Sequence, residues 1–256
     1  KTMFEQQGHR FEQTEQQLIV QGALKAGSYE IDGSISSQFI TGLLFALPLL
    51  EQDSIIHIKP PFDSRSYIEL TLQMLKTFGV TAEFQDNHTL YIPGNQSYQV
   101  CDYTVEGDYS QMAFYAVLAA IQSDLYCKGI TSSSKQGDKA ILSILEACNC
   151  KIEPKQEGYL VHKSELTATE IDLADCPDLG PVLNVLGMYT KGTTRIYHAA
   201  RLRYKESDRI AAMEEELKKF RPSPEIDQVE DNVYKNNLAD VTDLLDEMLK
   251  EIKNRQ

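Results

Sequence analysis

The amino-acid sequence predicts an α/β protein of two domains, assembled from repeated βαβαββ units. The first observation is a threefold internal repeat, in which a strand end, a small polar turn and a long apolar helix recur at 31–50, 105–121 and 171–189. The second observation is that a short strand and a second helix follow each copy, so that the pattern returns after roughly 70 residues. A period of this length is typical of one supersecondary block per repeat.

Each element of the repeat is predicted from its apolar spacing and from the turn residues around it. The three long helices are followed by second strands at 54–58, 125–129 and 193–198. These strands lead to second helices at 66–78, 138–147 and 207–220. Paired strands close the first two units, at 81–84 with 89–92 and at 151–154 with 159–162. Ahead of the first unit, a glycine-bounded turn separates strands at 18–21 and 28–31.

The units group into predicted domains. We expect residues 1–104 to hold part of a first domain, residues 105–221 part of a second, and residues 222–256 a linker with a helical tail. In the tail, apolar residues at 3-4-3-4 spacing predict an amphipathic helix over 237–254. Two heptads are too short to stand alone, so this helix is expected to pack on the body or against a partner helix.

Composition narrows the class of function. The 256 residues are 42% hydrophobic and 25% charged, which supports a sizeable core and excludes global disorder. A net charge of −13 argues against non-specific nucleic-acid binding, so any anionic substrate must be held by locally concentrated cations. No apolar run reaches membrane-spanning length and no signal segment is evident, so we expect a cytoplasmic protein without membrane contact.

The cysteines and histidines show no metal-ligand spacing. Cys148 and Cys150 form a CxC pair, but no second pair or nearby histidine completes four ligands. We therefore expect reduced thiols and no metal site.

The most specific chemistry lies in the run Arg201–Arg209, at the predicted start of a helix. Lys205 and Arg209 are expected to bind a phosphate or carboxylate together with the free amides of the helix N-terminus. Glu206 stands between them and can hand a proton to the bound group. The alternative is a solvated charge pattern along one helix face.

Polar groups open the first long helix as well. Ser36, Ser37 and Gln38 offer more donor capacity there than an N-cap requires, and they suit phosphate or sugar oxygens. Ser64 and Tyr67 lie at the start of the next helix in the same way. The alternative for these serines is ordinary capping.

Asp178 lies at the start of the third long helix, between two prolines. It is either a cap or a base, and a base there would lie near the Lys205 turn if the repeats pack alike.

These motifs together resemble the enolpyruvyl transferase superfamily, and within it the 5-enolpyruvylshikimate-3-phosphate synthases (3-phosphoshikimate 1-carboxyvinyltransferases). The likeness is carried by residues 33–39, 64–80, 105–117 and 175–219. It implies a fold of two domains, each with βαβαββ units around a pseudo-threefold axis, incomplete in this chain. It also implies transfer of the carboxyvinyl group of phosphoenolpyruvate to the 5-hydroxyl of shikimate 3-phosphate, in aromatic amino acid biosynthesis, without metal or cofactor.

The same resemblance implies binding roles in the first domain. Ser36, Ser37 and Gln38 match the residues that hold shikimate 3-phosphate, and Gln38 also touches phosphoenolpyruvate. Ser64 matches a further phosphate contact, and Tyr67 lines the same pocket.

In the second domain the resemblance implies catalytic roles. Asp178 matches the carboxylate that orients the 5-hydroxyl and takes its proton. Lys205 and Arg209 match cations that bind phosphoenolpyruvate. Glu206 matches the proposed proton donor to the methylene carbon.

The chain departs from the family at both ends. The family's early Gly-Ser-Lys-Ser segment, its Asn-Ala-Gly-Thr loop and its late anion-binding residues have no match, so the chain is expected to correspond to the middle of a synthase. Activity of this chain alone is left open. One alternative is a non-catalytic remnant or interaction module. Another is the sister transferase that uses a UDP-amino sugar and carries a reactive cysteine on a mobile loop.

Overall fold

The computed structural model describes residues 4–5, 7–34, 37–62 and 65–219. The chain divides into two compact units, Lys1–Thr104 and Val105–Gln256, which we call unit 1 and unit 2. Their assignment to the two family domains stays a prediction. The tail at 222–256, with its helix over 237–254, lies outside the described residues.

Unit 1 contains a hairpin followed by one βαβαββ block. Its strands are β1 (Arg10–Gln13), β2 (Leu18–Gln21), β3 (Ser28–Asp32), β4 (Ser54–Lys59), β5 (Glu83–Phe84) and β6 (Thr89–Ile92). Its helices are α1 (Ser37–Ala46), which runs into a 3-10 turn at Leu47–Leu49, and α2 (Arg65–Thr77).

The sheet of the βαβαββ block has the order β3-β4-β6-β5. Strand β3 pairs with β4 in parallel, while β6 is antiparallel to both β4 and β5. In β3 every second residue is buried, which places Tyr29 and Ile31 on the inner face. The predicted βαβαββ order of elements is therefore confirmed in this block.

The core of unit 1 lies between the sheet and the two helices. Leu43 and Leu44 of α1 pack with Ile56 of β4 and Ile68 of α2, all of them buried. Each such side chain contributes about 1.5–3 kcal/mol relative to exposure. The hairpin lies outside this core, because β1 and β2 are exposed along most of their length and pair with each other. Strand β1 lacks apolar alternation, which explains why the sequence did not predict it.

Unit 2 carries the second and third repeats. Its strands are β7 (Leu125–Lys128), β8 (Ile152–Lys155), β9 (Gly158–Val161), β10 (Glu170–Asp172) and β11 (Arg195–Tyr197). Its helices are α3 (Tyr109–Ile121), α4 (Ala140–Ala147), α5 (Gly180–Met188) and α6 (Arg209–Lys219). Short 3-10 helices precede three of them, at Gly137–Lys139, Pro177–Leu179 and Ala200–Tyr204.

Two sheets and a helical core build unit 2. Strands β7, β9 and β8 form an antiparallel sheet, and β10 pairs with β11 in parallel. Helices α3 and α5 are buried over most of their surface and pack against each other in one apolar cluster. A helix that is apolar all round belongs in the interior, and this agrees with the long apolar runs in the sequence.

The second repeat departs from the predicted pattern at its first strand. No strand forms over 105–107, and Val105 is 81% exposed. Gly107 still donates its amide to the carbonyl of Gly129, at 2.9 Å. A Cβ at position 107 would collide with that same carbonyl, so glycine is needed for the close approach.

Within the described ranges, the helices are all too short or too polar to span a membrane.

Candidate active site

The candidate residues of unit 2 are brought together by the parallel pair β10 and β11. The chain leaves β10 into the 3-10 helix Pro177–Leu179, and leaves β11 into Ala200–Tyr204 and then α6. Because the carboxyl ends of parallel strands meet at one edge of a sheet, the segments that follow them converge there.

At this edge Asp178, Lys205 and Arg209 form one ion cluster. Asp178 Oδ1 lies 2.9 Å from a terminal guanidinium nitrogen of Arg209 and 3.3 Å from Lys205 Nζ. The three side chains are 22–33% exposed, so the cluster is neither fully solvated nor sealed. A single carboxylate oxygen thus holds two cations, and an incoming anion could recruit both.

Glu206 extends the cluster toward solvent. Its carboxylate Oε1 accepts hydrogen bonds from Arg209, at 2.7 Å from Nη2 and 3.0 Å from Nε, and its side chain is 70% exposed. Its own backbone amide and the Arg209 guanidinium lower the pKa of Glu206. Glu206 is therefore a carboxylate in this state, and a role as proton donor requires Arg209 to turn elsewhere.

The start of α6 differs from the expectation in one respect. Asp208 Oδ1 accepts hydrogen bonds from the amides of Ile210 and Ala211, at 3.1 and 3.0 Å, and its Oδ2 accepts one from Arg203 at 3.1 Å. The prediction that these helix amides are free for an anion is wrong, because the chain caps them itself. Anion binding here would depend on the side chains of Lys205 and Arg209.

Three candidate residues of unit 1, Ser37, Gln38 and Tyr67, lie at the equivalent edge of the parallel strands β3 and β4. Ser37 is the first residue of α1, followed by the exposed Gln38, and Tyr67 is the third residue of α2. The two helices are joined by a hydrogen bond of 3.0 Å between the hydroxyls of Thr41 and Thr71. Helix starts after β3 and β4 thus share one edge.

The other two serines predicted for unit 1, Ser36 and Ser64, lie outside the described residues, so their proposed phosphate contacts stay predictions.

Asp138 is a buried acid next to the candidate cluster, and the sequence analysis missed it. It lies in the 3-10 helix Gly137–Lys139 and is only 3% exposed. Its Oδ2 accepts a hydrogen bond from Ser110 Oγ, while its Oδ1 is buried without a hydrogen-bond partner among the described residues. Burial, and to a smaller extent the charge of Asp178, raises the pKa of Asp138 to about 6, against the effect of the Ser110 hydrogen bond. In the sequence, an aspartate at a predicted helix start looks like a cap.

No group of three His, Cys, Asp or Glu side chains within the described ranges is placed to hold a metal ion. Burial raises the pKa of Cys127 and of Cys148 to about 11, and that of Cys176 to about 12. These thiols stay protonated at neutral pH, which makes them poor candidates for the reactive cysteine of the sister transferase.

Comparison with known proteins places this geometry in a family. A family model described as EPSP synthase (3-phosphoshikimate 1-carboxyvinyltransferase) matches residues 3–236. The structure is similar to an EPSP synthase from Acinetobacter baumannii solved at 2.37 Å, with a TM-score of 0.68 and 21% identity over 92% of this chain and 55% of that one. At this identity the likeness shows the fold, and it confirms the predicted enolpyruvyl transferase-like class.

Curated relatives agree. The 3-phosphoshikimate 1-carboxyvinyltransferase of Clostridium kluyveri is 45% identical over 203 residues, which cover 79% of this chain and 48% of the relative. That of Clostridium perfringens strain 13 is 42% identical over 242 residues, covering 93% and 57%. The chain thus spans about half the length of the curated relatives it matches. With the family model matching most of its residues, this chain belongs to the EPSP synthase family.

Proposed function

We propose that this chain contributes binding and catalytic residues for transfer of the carboxyvinyl group of phosphoenolpyruvate to the 5-hydroxyl of shikimate 3-phosphate. Family membership supports the reaction class. The observation that carries the residue roles is the cluster in which Asp178 holds Lys205 and Arg209 at the start of α6.

Binding comes first. Both substrates are polyanions, whereas the chain carries a net charge of −13, so long-range electrostatics oppose their approach. Lys205 and Arg209 concentrate positive charge at one place, and the guanidinium of Arg209 suits bidentate binding of a phosphate or carboxylate. We assign both cations to phosphoenolpyruvate.

Asp178 supplies the base. Its carboxylate is oriented by the two cations, and one of its oxygens is tied to both of them. In the addition step the 5-hydroxyl gives its proton to Asp178 while the hydroxyl oxygen bonds to C2 of phosphoenolpyruvate. Lys205, beside Asp178, stabilises the negative charge that moves between the Asp178 carboxylate and the hydroxyl oxygen.

Glu206 supplies the acid. It gives a proton to the methylene carbon, C3, as the tetrahedral adduct forms, and takes one back when the carbon–oxygen bond to phosphate breaks. The proton on Asp178 then leaves with the phosphate, so that atoms and charge balance. An anion that draws Arg209 away from Glu206 removes one cause of the lowered pKa of Glu206 and prepares it to hold a proton.

The residues of unit 1 are assigned to shikimate 3-phosphate. Ser36, Ser37 and Gln38 are proposed to hold its phosphate, with Gln38 also touching phosphoenolpyruvate, and Ser64 and Tyr67 to complete the site. This is supported by the family motif and by the position of Ser37, Gln38 and Tyr67 at the starts of α1 and α2.

The test is calorimetric titration of the chain with shikimate 3-phosphate. We expect saturable binding that weakens at least tenfold when Ser36→Ala and Ser37→Ala are combined, because hydrogen bonds to a charged group contribute about 1.5–3 kcal/mol each. Ser143→Ala is a matched control, since its hydroxyl donates to the Ala140 carbonyl within α4 of unit 2. Binding that ignores the double serine change would contradict the assignment, and absence of binding at millimolar ligand would favour the non-catalytic alternative.

A further inference from the structure

We infer that Asp138 is a positioning residue for this chemistry, whose negative charge makes the neighbouring Asp178 a better proton acceptor. The inference deepens the proposed function and rests on it. It concerns a carboxylate to which the family resemblance gave no role.

The geometry sets Asp138 apart from a structural cap. The 3-10 helix Gly137–Lys139 packs against the 3-10 helix Pro177–Leu179, which carries Asp178, and against α3. Asp138 is 3% exposed, and only one of its two oxygens has a hydrogen-bond partner among the described residues, namely Ser110. Asp208, at the start of α6, uses both oxygens, for two amides and for an arginine.

A buried carboxylate oxygen without a hydrogen-bond partner destabilises the folded state, and more so when the group is charged. Burial alone therefore gives no reason for an aspartate at this position, since an apolar residue would avoid that cost. The charged environment of Asp138 offers a reason.

Four ionisable groups face Asp138 from the elements packed around it. Asp178 and Cys176 come from the segment of the 3-10 helix, Asp108 from the N-cap of α3, and Lys205 from the turn before α6. Asp178 and Asp108 disfavour a negative charge on Asp138, and Lys205 favours it. Electrostatic coupling is reciprocal, so an ionised Asp138 must favour a proton on Asp178 by the same free energy.

This coupling offsets a weakness of the Asp178 cluster. Lys205 and Arg209 stabilise the carboxylate form of Asp178, which alone would make it a poor base. With a pKa of about 6, Asp138 is mostly ionised at neutral pH and opposes that effect. Below about pH 6 Asp138 becomes neutral, and Asp178 then accepts the proton of the 5-hydroxyl less readily.

The first experiment measures the coupling in this chain, without reference to catalysis. We would follow the Asp138 carboxyl carbon by NMR during a pH titration, in the wild type and in Asp178→Asn and Lys205→Met. The Asp138 midpoint should lie near 6, fall in Asp178→Asn and rise in Lys205→Met. Glu157→Gln, which removes one charge from an exposed turn of unit 2, should leave it in place. A midpoint that is equal in wild type and Asp178→Asn overturns the inference, whatever the chain catalyses.

The second experiment measures the consequence in a synthase of the relatives' length that carries this sequence. Wild-type kcat should fall as the pH drops through about 6, and in Asp138→Asn this acidic fall in kcat should be much smaller. The variant should also lower kcat at neutral pH about tenfold and leave KM for both substrates within about twofold of wild type. Asp138→Glu, which restores the charge, should recover part of the fall in kcat at acidic pH. An Asp138→Asn enzyme with the wild-type pH profile would mean that the residue is only structural. Loss of activity in the wild type itself, with the NMR coupling intact, would instead count against the proposed function.

Discussion

Asp178 and Arg209 are 31 positions apart in the chain, yet a guanidinium nitrogen of Arg209 lies 2.9 Å from Asp178 Oδ1. The same guanidinium holds Glu206 at 2.7 Å. Arg209 thereby ties the proposed base to the proposed acid when no substrate is bound. A substrate anion that binds Arg209 must compete with both carboxylates, so substrate binding and release of the two catalytic groups are expected to be linked.

We predict that Arg209→Met and Lys205→Met each weaken phosphoenolpyruvate binding at least tenfold while leaving the free energy of unfolding within about 1 kcal/mol of wild type. Partly exposed ion pairs contribute little to stability, whereas cations that contact a bound anion contribute directly to affinity. Calorimetric titration with phosphoenolpyruvate, with shikimate 3-phosphate present, measures the affinity. Urea denaturation measures the free energy of unfolding. Lys218→Met is the matched control, since Lys218 pairs with Glu214 on the exposed side of α6. Clear destabilisation with unchanged binding would show that the cluster is a structural charge network.

We predict that Glu206→Gln lowers kcat about 100-fold in a synthase of the relatives' length, with KM for phosphoenolpyruvate nearly unchanged. Glutamine keeps the size of the side chain but cannot deliver a proton to C3, and a positioned acid is worth about 10²–10⁴ in rate. Steady-state phosphate release measures both parameters. Wild-type turnover by this variant would remove Glu206 from the mechanism and leave it as the surface partner of Arg209.

Sequence patterns predicted the elements of this fold well where local spacing decides them. Strands β3, β4 and β6 and helix α2 lie within one or two residues of their expected positions, because their apolar periodicity matches the burial that the fold provides. The strand expected at 105 failed for the opposite reason. The segment resembles β3 in sequence, but Val105 is exposed and no strand forms there.

The candidate site was predictable in its cations and not in its buried acid. Lys205 and Arg209 stand in one short motif, and the sequence alone marks them as a charge cluster. Asp138 looks like a helix cap in the sequence, and only packing between segments distant in the chain shows that it is buried beside Asp178. The capping of α6 by Asp208 was likewise not predictable. The motif contains more than one acidic side chain, and only the structure shows that Asp208 is the one that accepts the helix amides.

Replacement of Gly107 and of Gly42 by alanine should change the free energy of unfolding in opposite directions. Gly107→Ala should destabilise unit 2 by about 1–3 kcal/mol, because its Cβ would collide with the Gly129 carbonyl and force the backbone to shift. Gly42→Ala should stabilise unit 1 by about 0.5–1 kcal/mol, since Gly42 lies inside α1 and its added Cβ would meet no heavy atom within 4 Å among the described residues. Urea denaturation followed by circular dichroism measures both. Equal effects of the two changes would contradict the close approach at Gly107.

The buried acid Asp138 should also govern how stability depends on pH. Its pKa is raised from the ordinary 3.8 to about 6 in the folded chain, so the folded state binds its proton more tightly than the unfolded state does. The resulting stabilisation is fully present below about pH 4 and is lost as the pH rises through about 6. Asparagine at position 138 cannot ionise, so the Asp138→Asn protein does not lose stability in this way.

We therefore expect Asp138→Asn to gain stability over the wild type as the pH rises from about 4 to 7, by up to about 3 kcal/mol for a pKa shift of about two units. Urea midpoints of both proteins across this range give the difference directly. The sign is diagnostic, because a carboxylate stabilised by partners would show the reverse trend, with Asp138→Asn losing stability at neutral pH. Ser110→Ala should enlarge the pH-dependent loss in the wild-type background, since the Ser110 hydroxyl is the group that stabilises the Asp138 anion. A difference between wild type and Asp138→Asn that does not vary with pH would show that Asp138 stays in one charge state throughout, and the proposed coupling to Asp178 would then have no ionisation to act through.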